Sequence, residues 1–146
     1  MTIAVDFDGT IVENRYPEIG KEIPFAIDTL KMLIHDRHRL ILWTAREGKL
    51  LDDAILWCKE HGVEFYAINR DYPEETTGNN PYFSRKLKAD VFIDDRNIGG
   101  LPDWGSIYRM ISENRTWNDI LNEETQISFD SNKRHTKKHW WHLFNL

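Results

Sequence analysis

"IAVDFDGTI", residues 3–11, decides how the rest of the chain is read. A short apolar strand runs into two aspartates spaced by one residue, followed by Gly9 and Thr10. A strand interior disfavours aspartate. Were the extended geometry to continue, Asp6 and Asp8 would point to one face and repel each other. A divalent cation is the obvious compensation.

Outward from this stretch, the chain alternates strand and helix patterns. Ile3 to Phe7 is almost wholly apolar, as in a sheet covered on both faces. Pro24 to Arg37 places Phe25, Ile27, Leu30, Leu33 and Ile34 on a helical stripe, with proline in the first turn. "RLILWT" is a second strand ending at Thr44, and "KLLDDAILWCKEHG" is a helix stopped by Gly62. "VEFYAIN" is a third strand, residues 70–81 are a loop, and "YFSRKLK" allows a short helical turn. "DVFIDD" is a fourth strand that again ends in two acids. A helix follows from about Asp103, and residues 116–124 add a further turn or two. This order predicts a parallel α/β sheet, Rossmann-like, with right-handed crossovers.

Composition sets the bounds. The 146 residues suit one domain with a hydrophobic core. No apolar run approaches the ~18 residues that span a bilayer. No secretory signal pattern precedes Ile3, and Cys58 is the single cysteine. A cytoplasmic, reducing location is the expectation. Cys58 sits at helical spacing from Ala54 and Ile55, so it reads as a buried structural thiol. The net charge of −5 argues against a nucleic-acid-binding body. Residues 127–146 differ: Lys133, Arg134, Lys137 and Lys138 stand against Asp130 alone. The expected division is therefore a domain over 1–126 and a basic, aromatic tail over 127–146.

In open α/β sheets, ligands bind beyond the carboxyl ends of the strands. The first strand ends in Asp6 and Asp8, the second in Thr44 with Ala45 and Arg46 behind it, the fourth in Asp94 and Asp95. Lys86 lies shortly before the fourth strand. These types suit phosphoryl transfer. Clustered carboxylates make an oxygen-rich site for Mg²⁺. One carboxylate can attack phosphorus, and a second can move the proton. A hydroxyl, turn N–H groups and a cation can hold the equatorial oxygens.

"DFDGT", "LWTAR", a lysine and "FIDD", in that order, resemble the four motifs of the haloacid dehalogenase-like phosphohydrolase superfamily, over roughly the first two-thirds of the chain. The resemblance implies a Mg²⁺-dependent phosphatase working through an aspartyl-phosphate. Asp6 is then the nucleophile. Asp8 is the general acid and base and offers its backbone carbonyl to the metal. Thr44 binds phosphate with the Ala45–Arg46 turn. Lys86 stabilises nucleophile and phosphate, with Lys88 and Arg85 as nearby alternatives. Asp94 ligates Mg²⁺, and Asp95 supports its water shell. Members of the superfamily often carry a cap after the first or third strand. Here the connections at 9–23 and 70–85 are too short for one, so a capless site is expected. Such a site suits a large substrate or a neighbouring subunit acting as lid.

Several residues carry two readings. Trp43 and Trp57 suit the core, or stacking on a substrate. Arg46 is an active-site cation or a solvated residue at a helix start. Asn69 contacts substrate or serves a turn. His35 and His38 read as surface residues, and "RNIGG" as the connection after the fourth strand. In the tail, Trp140, Trp141 and Phe144 call for burial on this domain or in a homo-oligomer. Nucleic acid or a membrane surface are the other readings. His135, His139 and His142 share a face if helical, a weak metal motif. Against the phosphatase stands a second class, a receiver-like or degenerate binding module. A receiver domain places its acidic pair and its phosphorylated aspartate on different strands, whereas here the DxD lies on the first strand. A degenerate member would have lost an acid, and none is missing.

Overall fold

The computed structural model describes residues 1–76 and 84–127. Two compact units are present, Met1–Gly105 and Ser106–Leu146. This division follows packing, whereas the 126/127 boundary read from sequence follows composition. The tail residues named above, Trp140, Trp141, Phe144 and the three histidines, lie outside the described residues.

The first unit holds an α/β, Rossmann-like sheet of four parallel strands with no separate cap among the described residues. The strands are β1 (Thr2–Val5), β2 (Arg39–Leu42), β3 (Ala67–Ile68) and β4 (Val91–Ile93), in the order β3-β2-β1-β4. Ile3, Ala4 and Val5 of the central strand and Leu40, Ile41 and Leu42 beside it are all buried. Continuous apolar runs of this kind belong to strands covered on both faces. β1 pairs with β2 on one side and β4 on the other, so the strand order reverses beside β1. The crevice at such a reversal is where ligands enter open α/β sheets.

The helix α1 (Ala26–His35) buries Ala26, Ile27, Thr29, Leu30 and Leu33, one stripe of a 3.6-residue period. It starts two residues later than Pro24 because Phe25 adopts a left-handed φ of 67°. The Glu22 carboxylate accepts the Ile27 N–H at 3.2 Å and so serves the first turn. The helix α2 (Gly48–Glu60) ends just before Gly62, whose φ of 83° turns the chain as expected. Cys58 is buried there, and desolvation pushes its thiol up to about 12. That state suits packing and not nucleophilic chemistry.

Two elements differ from expectation. β3 keeps two of the seven residues in "VEFYAIN". The Val63 N–H is used to close α2 on the Cys58 carbonyl, and the chain first meets the sheet at Tyr66, whose N–H donates to Leu40. Within "YFSRKLK", residues 84–88 are not helical. There the Lys86 N–H donates to the Ser84 hydroxyl and the Lys88 N–H to Asp71 Oδ1, so side chains take bonds that a helix would need. Leu87 instead packs with Ala4, Ile41 and Ala67.

The helix α3 (Trp104–Ser112) begins in the first unit. Its Trp104 indole is buried and donates to the Thr10 carbonyl at 3.1 Å. In the second unit, residues 117–127 form α4, longer than expected. Thr116 and Asp119 cap it reciprocally, with Thr116 N–H and Oγ1 both 2.7 Å from Asp119 Oδ2. Glu123 of α4 accepts from Arg109 of α3 and pairs with Arg115, both at 2.8 Å. No described helix is long and apolar enough to cross a membrane.

Candidate active site at the strand reversal

The chain leaves β1 abruptly. The Asp6 N–H makes one last ladder bond to Ile93 at 3.0 Å. The Phe7 carbonyl then accepts from Thr10, Ile11 and Val12, which closes a tight turn. Gly9 sits in that turn at φ 85°, and a Cβ there would overlap the Asp95 carboxylate. Glycine is thus required twice, for its backbone angle and for the approach of β4's acid. The Thr10 hydroxyl accepts the Asp95 N–H at 3.0 Å and ties the two loops together.

The outcome is a three-carboxylate cluster. Asp6, Asp94 and Asp95 each bring one oxygen within 4.8 Å of the others. Burial pushes the Asp6 carboxyl up to about 6, against the Phe7 N–H that it accepts at 2.7 Å. The charges of Asp94, Asp95 and Asp8 add to the rise. Asp94 Oδ1 accepts the Arg96 N–H at 2.8 Å. Asp95 Oδ1 is buried and has no hydrogen-bond partner among the described residues. A buried orphan oxygen beside two more carboxylates is the donor set a hard divalent cation takes. Asp6, Asp94 and Asp95 therefore fit Mg²⁺. The Asp8 side chain is not in that cluster.

Asp8 faces Arg46 instead. Arg46 Nε and Nη2 each donate at 2.7 Å, one to each Asp8 carboxylate oxygen. The Asp8 bonds are the main reason the Arg46 guanidinium is held above its ordinary range. Arg46 is 1% exposed, which overturns its reading as a solvated helix-start residue. It also donates to the Pro17 carbonyl at 3.0 Å and the Glu18 carbonyl at 2.9 Å. Its guanidinium lies 5.2 Å from the Phe7 ring centre and 5.4 Å from that of Tyr16.

Thr44 is set by Asn69. The Asn69 amide accepts the Thr44 N–H at 2.8 Å and donates to the Thr44 carbonyl at 3.0 Å. Asn69 is therefore a clamp on the β2 terminus. The Thr44 hydroxyl accepts the Arg46 N–H at 3.2 Å.

Beside these groups lies a cleft of about 340 Å³, whose lining does not include Asp95 or Asn69. Asp6, Asp8, Thr44, Ala45, Arg46 and Asp94 of the sequence-derived set are all on its wall. Trp43 packs against the core, as its first reading expects, and also lines the cleft. Trp57 instead meets Phe7 edge-to-face at 5.8 Å and stacks on His61. Lys86 is exposed, with its ammonium 5.9 Å above the Phe92 ring, and it is not among the lining residues. Asn14, Tyr16 and Arg96 line the cleft without having been singled out as site residues. Asn14 and Tyr16 belong to a polar connection with no motif, and only folding returns it over the site. Arg96 directly follows the acidic pair, and that adjacency was the available signal.

No protein-family model matches the chain, and no curated protein matches it either. Among solved structures, it resembles a conserved protein from Bacteroides thetaiotaomicron at 69% identity and a TM-score of 0.77. The match covers 82% of this chain and 96% of that one.

Proposed function

The chain belongs to one family with that conserved Bacteroides thetaiotaomicron protein, and we propose that it is a Mg²⁺-dependent phosphomonoester hydrolase of the haloacid dehalogenase-like type. The observation that carries the proposal is the meeting of Asp6 with Asp94 and Asp95 across the strand reversal. Acids from two strands, a clamped threonine and a buried orphan oxygen together suit phosphoryl transfer better than a turn or a helix cap.

In this reading Asp6 attacks phosphorus. The bond to the ester oxygen breaks, and Asp8 delivers a proton to that oxygen. Water then attacks the aspartyl-phosphate, Asp8 takes its proton, and phosphate leaves with Asp6 restored. Thr44 holds an equatorial phosphate oxygen, and charge neutralisation falls to Lys86, implied by the motif order, or to Arg96 on the cleft wall. When bound at Asp6, Asp94 and Asp95, with the Asp8 carbonyl, Mg²⁺ would offset the charge of these acids and of the phosphoryl group.

The test is a screen of nucleotides, sugar phosphates, aryl phosphates and phosphorylated oligonucleotides, with Mg²⁺ and with EDTA. Release of phosphate that needs Mg²⁺ and Asp6 supports the reading. Binding of ligands without any turnover would favour a non-hydrolytic module instead.

A further inference from the structure

The connection after β1 is a folded flap and not a loose loop. Glu13 N–H donates to the Lys21 carbonyl at 2.8 Å, and Ile23 N–H to the Ile11 carbonyl at 2.9 Å. Val12 and Glu22 form an antiparallel bridge. At Gly20 a Cβ would overlap the Glu13 carbonyl, so the two arms of the flap touch. The flap contributes Asn14 and Tyr16 to the cleft wall.

What fastens its tip is Arg46. Four of the five guanidinium N–H bonds have named acceptors: two on Asp8, one on Pro17 and one on Glu18. One buried side chain thus ties the flap tip to the proposed proton-transfer residue. Arginine suits this task because its planar fork meets two carboxylate oxygens and still reaches further acceptors, which an ammonium does not. Trp43, Thr44 and Ala45 line the same cleft. With the flap tied down as one wall, a cleft of about 340 Å³ is at the lower end of sites for small molecules.

We propose that Arg46 is a latch that fixes the flap as a wall of the cleft, so that the site selects small phosphomonoesters over phosphorylated macromolecules. Size selection rests on the phosphohydrolase reading above. The latch itself does not. Arg46 acts as a positioning residue, through Asp8 and the flap.

Tryptic cleavage after Arg15 and Lys21, both exposed on the flap, reports the latch without any turnover. Arg46→Gln, checked for an intact far-ultraviolet spectrum, should be cut there roughly tenfold faster than wild type, since cleavage tracks the population of the open form. Arg46→Lys should fall between the two, and it carries the comparison should Arg46→Gln not fold. Tyr16→Ala should keep wild-type protection but raise KM for p-nitrophenyl phosphate roughly tenfold. Wild type should prefer nucleoside monophosphates to a 5′-phosphorylated oligonucleotide, and Arg46→Lys should narrow that preference. Equal tryptic rates in folded Arg46 variants and wild type overturn the latch. A wild-type preference for the oligonucleotide overturns size selection. Should no phosphomonoester be hydrolysed, the phosphohydrolase reading falls and size selection with it, while the tryptic rates still decide the latch.

Discussion

Arg46 occupies both oxygens of Asp8 at 2.7 Å, with the arginine 1% exposed. Each Asp8 oxygen thus accepts one N–H from Arg46, so the side chain's orientation in the cleft is set by that pair. The pair is also costly to break from one side, about 3–5 kcal/mol when a buried partner is removed and the other charge is left alone. Asp8 is thus both a candidate for proton transfer and a structural anchor, and its variants must be read for both.

Asp8→Asn should separate the two roles by leaving group. An alkyl phosphate needs its leaving oxygen protonated, whereas p-nitrophenolate needs little help. The expected loss in kcat is about 100-fold or more for the alkyl ester, within the usual range for general acid–base catalysis, and clearly smaller for the aryl ester. Equal losses for both would assign Asp8 to structure alone.

Asp6→Asn should abolish turnover, because an amide is a poor nucleophile. It should also change the pH dependence of stability. The Asp6 carboxyl is raised from 3.8 to about 6 in the fold. The native state therefore holds this proton more tightly than the unfolded chain, and stability falls as pH rises from about 4 through 6. Melting temperatures in EDTA between pH 4 and 8 should show that decline in wild type and a shallower one in Asp6→Asn. Parallel curves would remove Asp6 as the source.

Mg²⁺ should raise the melting temperature of wild type in proportion to ln(1 + [Mg²⁺]/Kd). Asp94→Asn removes a negative ligand and should shift the half-saturating Mg²⁺ concentration upward by about tenfold or more, with KM for substrate changing less. Unchanged Mg²⁺ dependence would move the metal away from this cluster.

Gly9→Ala meets both a left-handed backbone and the Asp95 carboxylate. The strain alone is expected to cost about 1–3 kcal/mol. Because Asp95 is displaced, Mg²⁺ should stabilise this variant less than it stabilises wild type, read by the same melting experiment. A destabilised protein with full Mg²⁺ response would confine the effect to the backbone.

Lys86 and Arg96 can be separated directly. If Lys86 neutralises the transferring group, Lys86→Ala lowers kcat about 100-fold, the scale of losing one charge-stabilising donor. Arg96→Ala, on the cleft wall, should act mainly on KM. The reverse ranking would assign the phosphate cation to Arg96.

Local pattern was enough to place the acids at strand ends. Asp6 and Asp8 close an apolar run, Asp94 and Asp95 close another, and Gly62 stops α2, all through interactions within a few residues. The alternation of these elements was likewise enough for a parallel sheet, because parallel strands need crossovers. The order β3-β2-β1-β4 came only with folding, and it is this order that sets Asp94 and Asp95 beside Asp6. The partners of Arg46 and Asn69 were also beyond local reading. Arg46 reaches Asp8 across 38 positions of sequence, and Asn69 reaches Thr44 across 25. A polar residue at a strand end looks the same in sequence whether water or a buried carboxylate satisfies it. Packing decides, because only the folded chain excludes the water and leaves the paired geometry as the way to keep those charges buried.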